Sequence, residues 1–363
     1  MAENANKTNH VVYRSSNGQL IDIYYMREPG WRSANHAVSN NAPPMVGNPS
    51  AFVYPVNNSQ NIVFRGADGN IYCFVFVRGQ GWRVENLTAL TGAPSPSADV
   101  STYTYHVFNT RHVMYSSQDG HVHQLYSPPA GDWRHADMTE QYGAPLIEGK
   151  PTTYVNSVDD SQNTVYRGKD GHIYLLHFVR GAGWDNTNIT QAVGAPPSAS
   201  NPASYTYHVF NTQHVMYRSA DGHLHQLYAP PGQGWKHSDM TVEFGIPPMV
   251  GKPAPFVDAV DNSQSVAYRG IDGHIHFVSF IRGEGWKHLN LSATLGTPTG
   301  KGNPYGYTFD LFKTKHIMYS GQDGNIYQLY LPPGKEWRQS NLSTTTGAPQ
   351  ADGDPYCYTY DLQ

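Results

Sequence analysis

Trp31, Trp82, Trp133, Trp184, Trp235, Trp286 and Trp337 are the seven tryptophans of the chain, and each follows the last by 51 residues. Most come directly after a glycine, and three share their loop with an arginine: Arg78, Arg180 and Arg282, in VRGQGW, VRGAGW and IRGEGW. An indole face takes apolar area out of water, and a guanidinium donates charge-assisted hydrogen bonds to oxygen. Together they suit a small ring that is apolar on its face and hydroxylated at its edge, as a pyranose is. The glycine lets the backbone approach such a ring closely. The same indoles also serve as packing between repeated units, so the elements that carry them decide their role.

The period of 51 belongs to the whole chain. The turn dipeptide repeats in register as Asn17-Gly18 and then as Asp68, Asp119, Asp170, Asp221, Asp272 and Asp323, each followed by Gly. The unit 101–151 reads as STYTYHVF, RHVMYSS, the turn QDG, HVHQLYS, a Pro/Gly turn, WRHADMT and a polar Gly/Pro crossover. These are four strands of β-branched and aromatic residues bounded by turn chemistry, with no helical spacing. Radially repeated four-stranded sheets are propeller blades, whereas a solenoid needs atypical capping repeats at its ends. Here the ends complete each other. The terminal PYCYTYDLQ matches the opening strand of an interior unit, and Lys7–Gly18, KTNHVVYRSSNG, matches what should follow it. The expected fold is all-β: a seven-bladed β-propeller of four-stranded blades, with both termini in one blade. One domain, 1–363, has units starting near 7, 58, 109, 160, 211, 262 and 313, and residues 1–6 are an extra or disordered lead.

Composition narrows the partners. A net charge of −4 and a pI near 6.5 give no electrostatic footprint for nucleic acid. No run of 18 apolar residues predicts membrane insertion, and MAENANKTNH lacks the form of a signal peptide. The expectation is a soluble protein, cytoplasmic or released by a non-classical route. Cys73 and Cys357 fall on different strand types of different blades, so both thiols are expected to be reduced.

A second periodicity alternates on the first. Repeats two, four and six carry Arg-Gly before the tryptophan and NNSQ, DDSQ or DNSQ in the preceding link. Repeats three, five and seven carry Pro-Pro there, with NTRH, NTQH or KTKH in the link, and repeat one reads as their type. Because seven is odd, sites between blades should come in two kinds plus one odd junction. The Arg-bearing loops favour charge-assisted bonds to sugar oxygens, and the Pro-bearing loops, which lack a backbone N–H, favour methylated sugars.

Repeat by repeat over 7–363, with a DGxIYxLY-like turn and strand and a Gly-rich approach to tryptophan, the chain resembles the seven-bladed fucose-binding lectins of the Photorhabdus luminescens lectin type. The resemblance implies multiple sites between blades for L-fucose and O-methylated saccharides, cell-surface glycans as partners, no cofactor, no catalysis, and a possible homo-oligomer. On it, the seven tryptophans with Arg78, Arg180 and Arg282 are the sugar-binding candidates.

Other readings compete. Arg65, Arg167 and Arg269 share the opposite face with Asn86-Leu87-Thr88 and its counterparts at Asn188, Asn290 and Asn341. A strand separates the faces by roughly 17–20 Å, so Trp184 and Arg167 cannot hold one monosaccharide. Those Asn-x-Ser/Thr triplets match a glycosylation acceptor but read as turn caps. His121-x-His123, His223-x-His225 and His274-x-His276 share a strand face and could chelate, yet the sequence supplies no consistent third ligand. A glycosidase needs a carboxylate pair at defined separation, whereas Glu28, Glu85, Glu148 and Glu243 are scattered. A protein-interaction scaffold is the alternative to the lectin, without the Trp-Asp and Gly-His signature of WD repeats.

Overall fold

The computed structural model describes residues 7–40, 42–156, 158–258 and 261–362. The expected lead, 1–6, lies outside the described residues. Seven antiparallel four-stranded sheets follow one another. Blade 1 takes its innermost strand, Tyr356–Asp361, from the end of the chain and the others, Lys7–Arg14, Leu20–Met26 and Gly30–Asn35, from the beginning. Blade 2 runs from Met45 to Asn86, blade 3 from Ser101 to Asp137, blade 4 from Thr152 to Asn188, blade 5 from Ala203 to Asp239, blade 6 from Met249 to Asn290 and blade 7 from Tyr305 to Asn341.

The core is divided among the junctions. Each strand presents alternate residues to the preceding and the following blade, so both faces are apolar. Val12, Phe64, Phe74 and Tyr358 pack between blades 1 and 2, and Met216, Met240, Val266 and Tyr268 between blades 5 and 6. Cys73 and Cys357 are both buried and free.

Around the centre, blades are laced by one residue each. The backbone N–H of Asn48 donates to Asp99 (3.0 Å), that of Lys150 to Asn201 (3.1 Å), that of Lys252 to Asn303 (2.8 Å) and that of Asn303 to Asp354 (2.7 Å). The N–H of Asp354 donates to Asn48 Oδ1 at 2.7 Å. Blades 1 and 2 are thereby joined as blades 2 and 3, 4 and 5, 6 and 7, and 7 and 1 are.

Every outer strand runs into a helix of one turn, where the sequence predicts only a crossover. Such a helix, Met138–Tyr142 for example, is too short for amphipathic spacing to register. Its signal is the cap: Asp137, Asn86 and Asn341 each accept from a backbone N–H of the first turn, and Gly143, Gly92 and Gly347 close the end with positive φ. In the Asn-x-Ser/Thr triplets the hydroxyl is used as well, since Thr88, Thr190, Ser292 and Ser343 each accept from the N–H that opens the third strand. The capping reading of these triplets holds.

Repeat one departs from its expected type. Its inner half follows the pattern of repeats three, five and seven, but its outer strand, Gly30–Asn35, has six residues like Gly81–Asn86, whereas those repeats have four. Trp31 therefore pairs with Tyr25 as Trp82 pairs with Phe76.

Candidate functional site

The alternation of repeat types makes two kinds of junction. Where a blade with Thr-x-His precedes one with a six-residue outer strand, clefts open at junctions 5→6 and 7→1. Junction 3→4 carries the same residues, and 1→2 carries an altered set.

The 5→6 cleft has a volume of 430 Å³ and is lined by Thr212, His214, Gln226 and Tyr228 of blade 5 and Gln264, Phe280 and Trp286 of blade 6, with Phe210 and Phe244 among its walls. On strands two and three of blade 5, His214 and Tyr228 point to the same side as cross-strand partners. Tyr205, His214 and Tyr228 form a slab of rings, with centroids 4.8 Å and 6.1 Å apart and planes within 17°. Trp286, half-buried, comes from the start of the opposing outer strand and is packed by Phe280 at 5.5 Å and Phe244 at 6.1 Å. Aromatic walls thus enclose a polar floor.

The floor is a wired relay. Gln226 Nε2 lies 2.9 Å from His214 Nδ1, and His214 Nε2 lies 2.6 Å from Thr212 Oγ1. An amide N–H can only donate, so Nδ1 accepts, the imidazole proton sits on Nε2, and Thr212 accepts it. The Thr212 hydroxyl proton is left to donate into the cleft. Across the junction Tyr205 donates to Gln264 Oε1 at 2.8 Å, which leaves the Gln264 amide protons as further donors. Burial pushes the His214 imidazole well below its ordinary range, to about 3, and does the same to His112 and His316. The relay is neutral.

Junction 7→1 repeats this cleft, also 430 Å³, with Thr314, His316, Gln328 and Tyr330 facing Asn9, Tyr25 and Trp31. Its links are 2.5 Å from Thr314 to His316 and 2.7 Å from His316 to Gln328, and Asn9 donates to Tyr307 at 2.6 Å. At 3→4 the same positions hold Thr110, His112 and Gln124, with links of 2.6 Å and 3.1 Å, and Tyr103 donates to Gln162 at 2.8 Å. Junction 1→2 differs. Asp22 stands in place of the glutamine and accepts from both His10 (2.9 Å) and His36 (3.2 Å), and the His36 ring lies 4.2 Å from that of Trp82.

The remaining junctions, 2→3, 4→5 and 6→7, are of the other kind, and 2→3 is filled. Trp133 is buried, its Nε1 donates to Glu85 at 3.3 Å, and the Arg111 guanidinium lies between the rings of Tyr54 (5.1 Å) and Trp133 (4.8 Å). Gln213 takes the place of Arg111 at 4→5, where it accepts from Tyr154 at 2.6 Å. At 6→7 it is Lys315, bonded to Asp261 at 2.6 Å and Ser263 at 2.8 Å. Trp235 and Trp337 are half-buried and pack against the apolar clusters of those junctions, as Trp31, Trp82, Trp184 and Trp286 do at theirs.

Of the seven tryptophans, Trp31 and Trp286 line clefts, Trp184 holds the same place at 3→4, Trp82 lies against His36 at 1→2, Trp133 is buried, and Trp235 and Trp337 are half-buried at junctions of the other kind. Arg180 and Arg282 are exposed and lie over Phe108 (6.0 Å) and Phe210 (5.8 Å), outside the ring that walls the cleft. Arg78 donates to the Leu362 carbonyl at 2.8 Å. The Thr-His-Gln relay was missed, although its signal was present: Thr-x-His recurs in repeats three, five and seven with Gln-Leu-Tyr twelve residues after the histidine. Glu243, read as scattered, lines the 5→6 cleft, where it accepts from Ser238 at 2.8 Å.

No protein-family model and no curated protein sequence matches the chain. Its fold is similar to that of the BP39L lectin from Burkholderia pseudomallei, with a TM-score of 0.73 at 15% identity over 92% of this chain and 94% of that one. It is similar to a point mutant of the Aleuria aurantia lectin in complex with Fucalpha1-6GlcNAc, with a TM-score of 0.51 at 10% identity over 80% and 94%. The periplasmic gluconolactonase PpgL of Pseudomonas aeruginosa is similar too, with a TM-score of 0.61 at 9% identity over 98% and 100%. At these identities the likeness shows the propeller fold, which lectins and an enzyme share.

Proposed function

We propose that the chain is a multivalent lectin of the Photorhabdus luminescens lectin type that binds L-fucose and O-methylated saccharides in the clefts at 3→4, 5→6 and 7→1 without turning them over. The observation that carries this reading is the recurrence, at three junctions, of aromatic walls over a neutral floor of fixed donors. A pyranose seated against Trp286 buries its C–H face, while Thr212 and Gln264 donate to its ring or hydroxyl oxygens. Walls of Phe210, Phe280 and Trp286 favour a methyl group, whether the C6 methyl of a 6-deoxy sugar or an O-methyl. The lectin bound to a fucosylated disaccharide among the structural neighbours supports the same class of ligand. Hydrolysis by the usual route needs a carboxylate pair, and among the described residues lining the 5→6 cleft Glu243 is the one carboxylate.

Titration with methyl α-L-fucoside and with an O-methylated fucoside tests the proposal. The expected result is several sites per chain, with Trp286→Ala losing one of them. Repeated sites on a rigid ring make binding to a fucosylated surface far tighter than to the free sugar. Absence of binding to any saccharide on a glycan array overturns the lectin, and release of free sugar from a bound glycan replaces it with an enzyme.

A further inference from the structure

Outside the clefts, at the end of the blades that carries the Asp-Gly turns, histidines of blades 3 and 5 are grouped in a way that sugar binding does not use. In blade 3, Asp119, His121 and His123 bring one donor atom each within 4.8 Å of one another, and in blade 5 Asp221, His223 and His225 do the same. Asp119 and Asp221 stand two residues before these pairs as a third donor that the sequence reading passed over, and further donors lie on the neighbouring outer strand. Asp137 is the cross-strand partner of His123, and His135 stands two residues before it on the same face. In the structure His121 Nδ1 is 2.7 Å from Asp137 Oδ2, that oxygen is 3.9 Å from His123 Nδ1, and His123 Nδ1 is 3.0 Å from His135 Nε2. Blade 5 repeats the arrangement: His223 Nδ1 is 2.9 Å from Asp239 Oδ2, and His225 Nδ1 is 2.9 Å from His237 Nε2.

We propose that blades 3 and 5 each bind one divalent transition-metal ion of the zinc class, held by His121, His123, His135 and Asp137 and by His223, His225, His237 and Asp239. Three imidazoles and a carboxylate are a donor set for zinc, and ligands about 2 Å from one tetrahedral ion stand about 3.3 Å apart. The observed spacings bracket that value. The buried ring is also held from behind. His123 Nε2 lies 2.7 Å from Ser117 Oγ, which in turn donates to Asp119, and His225 Nε2 lies 2.8 Å from Ser219 Oγ. A proton fixed on Nε2 turns the Nδ1 lone pair toward the ion, as outer-shell partners of metal-bound histidines do. The other half of the site is open, since the side chains of His121 and Asp137 are 31% and 16% exposed. Binding requires the protons on the His121 and His135 nitrogens that face the ion to move to the other ring nitrogen or to solvent.

Blade 6 is a control within the same chain. It keeps His274, His276 and His288, with His276 Nδ1 2.8 Å from His288 Nε2, but it carries Asn290 where Asp137 and Asp239 stand, and His274 is bonded to Ser292 instead. Asn also caps this helix in blades 1, 2, 4 and 7, so Asp137→Asn and Asp239→Asn remove a ligand and retain the cap. Tyr occupies the place of His123 in blades 2, 4 and 7, as Tyr72, Tyr174 and Tyr327, which makes His123→Tyr and His225→Tyr substitutions the fold already accommodates.

The test is equilibrium dialysis of the full untagged chain against zinc chloride at neutral pH, with metal counted by elemental analysis and melting followed in parallel. Two zinc ions per chain are expected, with a raised melting temperature. Asp137→Asn should lose one ion, and Asp137→Asn with Asp239→Asn should weaken both sites at least tenfold, without a change in the metal-free melting curve. His123→Tyr with His225→Tyr should abolish retention. Failure of the parent to retain zinc at micromolar concentration, or the same stoichiometry and affinity in all variants, overturns the proposal.

Discussion

Arg111 lies 4.8 Å over the indole of Trp133, and the same guanidinium lies 5.1 Å over Tyr54 of the preceding blade. This stack occupies the space that stands open beside Trp286, so one residue type at one repeat position has opposite roles in the two kinds of junction. Trp133→Ala removes a buried indole and should destabilise by about 3–5 kcal/mol while the number of saccharide sites is unchanged. Trp286→Ala removes a half-buried wall and should cost about 1–2 kcal/mol while one site is lost. Chemical denaturation and titration of the two variants check both halves. Equal losses of stability with equal stoichiometry would place both indoles in the packing class.

The architecture was legible because the period is uniform: the turn dipeptides, the tryptophans and the split blade all follow from counting residues. The helical turns were not, since four or five residues carry no periodicity and announce themselves only by Asn or Asp before and, in most blades, Gly after. The alternation of repeat types pointed to two kinds of junction, but which kind is open depends on what Arg111, Gln213 and Lys315 do with their length. Nothing in the residue names says that Arg111 folds onto Trp133 while Arg282 turns outward over Phe210. Repeat one shows the limit most directly: Glu28-Pro29 reads as the Pro type, yet the outer strand begins at Gly30 and gives Trp31 the register of Trp82.

Three floor histidines make stability depend on acid. Burial pushes His112, His214 and His316 to about 3, whereas an imidazole in the unfolded chain titrates near its ordinary value of about 6.5. Between those values the unfolded chain binds more protons, so stability is complete above about pH 6.5 and falls as the pH drops. At pH 5 each histidine contributes about 2 kcal/mol of that loss. Melting temperatures from pH 7 to pH 4 should decline, and His214→Asn, which installs the residue found as Asn61 and Asn163 in blades 2 and 4, should decline less steeply. The same substitution breaks the relay to Thr212 and should weaken the 5→6 site.

Lys313 occupies a position that suits asparagine. It has φ of 54°, as Asn58, Asn109, Asn211 and Asn262 have values of 48° to 56° at the corresponding links. A left-handed conformation costs an ordinary L-residue about 1–2 kcal/mol, and asparagine tolerates it better. The Lys313 side chain is exposed. Lys313→Asn should therefore stabilise the protein by about 0.5–1 kcal/mol, read as a rise in denaturant midpoint with an unchanged slope.

The altered cleft at 1→2 can be converted into the common type. Burial opposes the charge of Asp22, but the His10 and His36 imidazoles outweigh it and hold the carboxyl well below the usual carboxylate range. Its contribution to stability is present above about pH 4 and is lost as the pH falls below that. Because Asp22 only accepts, His10 Nδ1 must donate to it, whereas His214 Nδ1 accepts from Gln226; His10 Nε2 lies 2.9 Å from Thr8 Oγ1, and the Thr8 hydroxyl donates to the Tyr360 carbonyl at 3.1 Å. The link to the histidine runs opposite to that of blade 5, and the Thr8 proton is taken up by a backbone carbonyl. Asp22→Ala strands two imidazoles and should cost about 3–5 kcal/mol. Asp22→Gln with His36→Met installs the pair found as Gln226 and Met240 in blade 5, makes His10 Nδ1 an acceptor and replaces a buried carboxylate with a neutral amide. Titration of this double variant should gain one site of the class proposed at 3→4, 5→6 and 7→1. An unchanged count in a protein that melts like the parent would mean that the direction of the relay does not govern recognition.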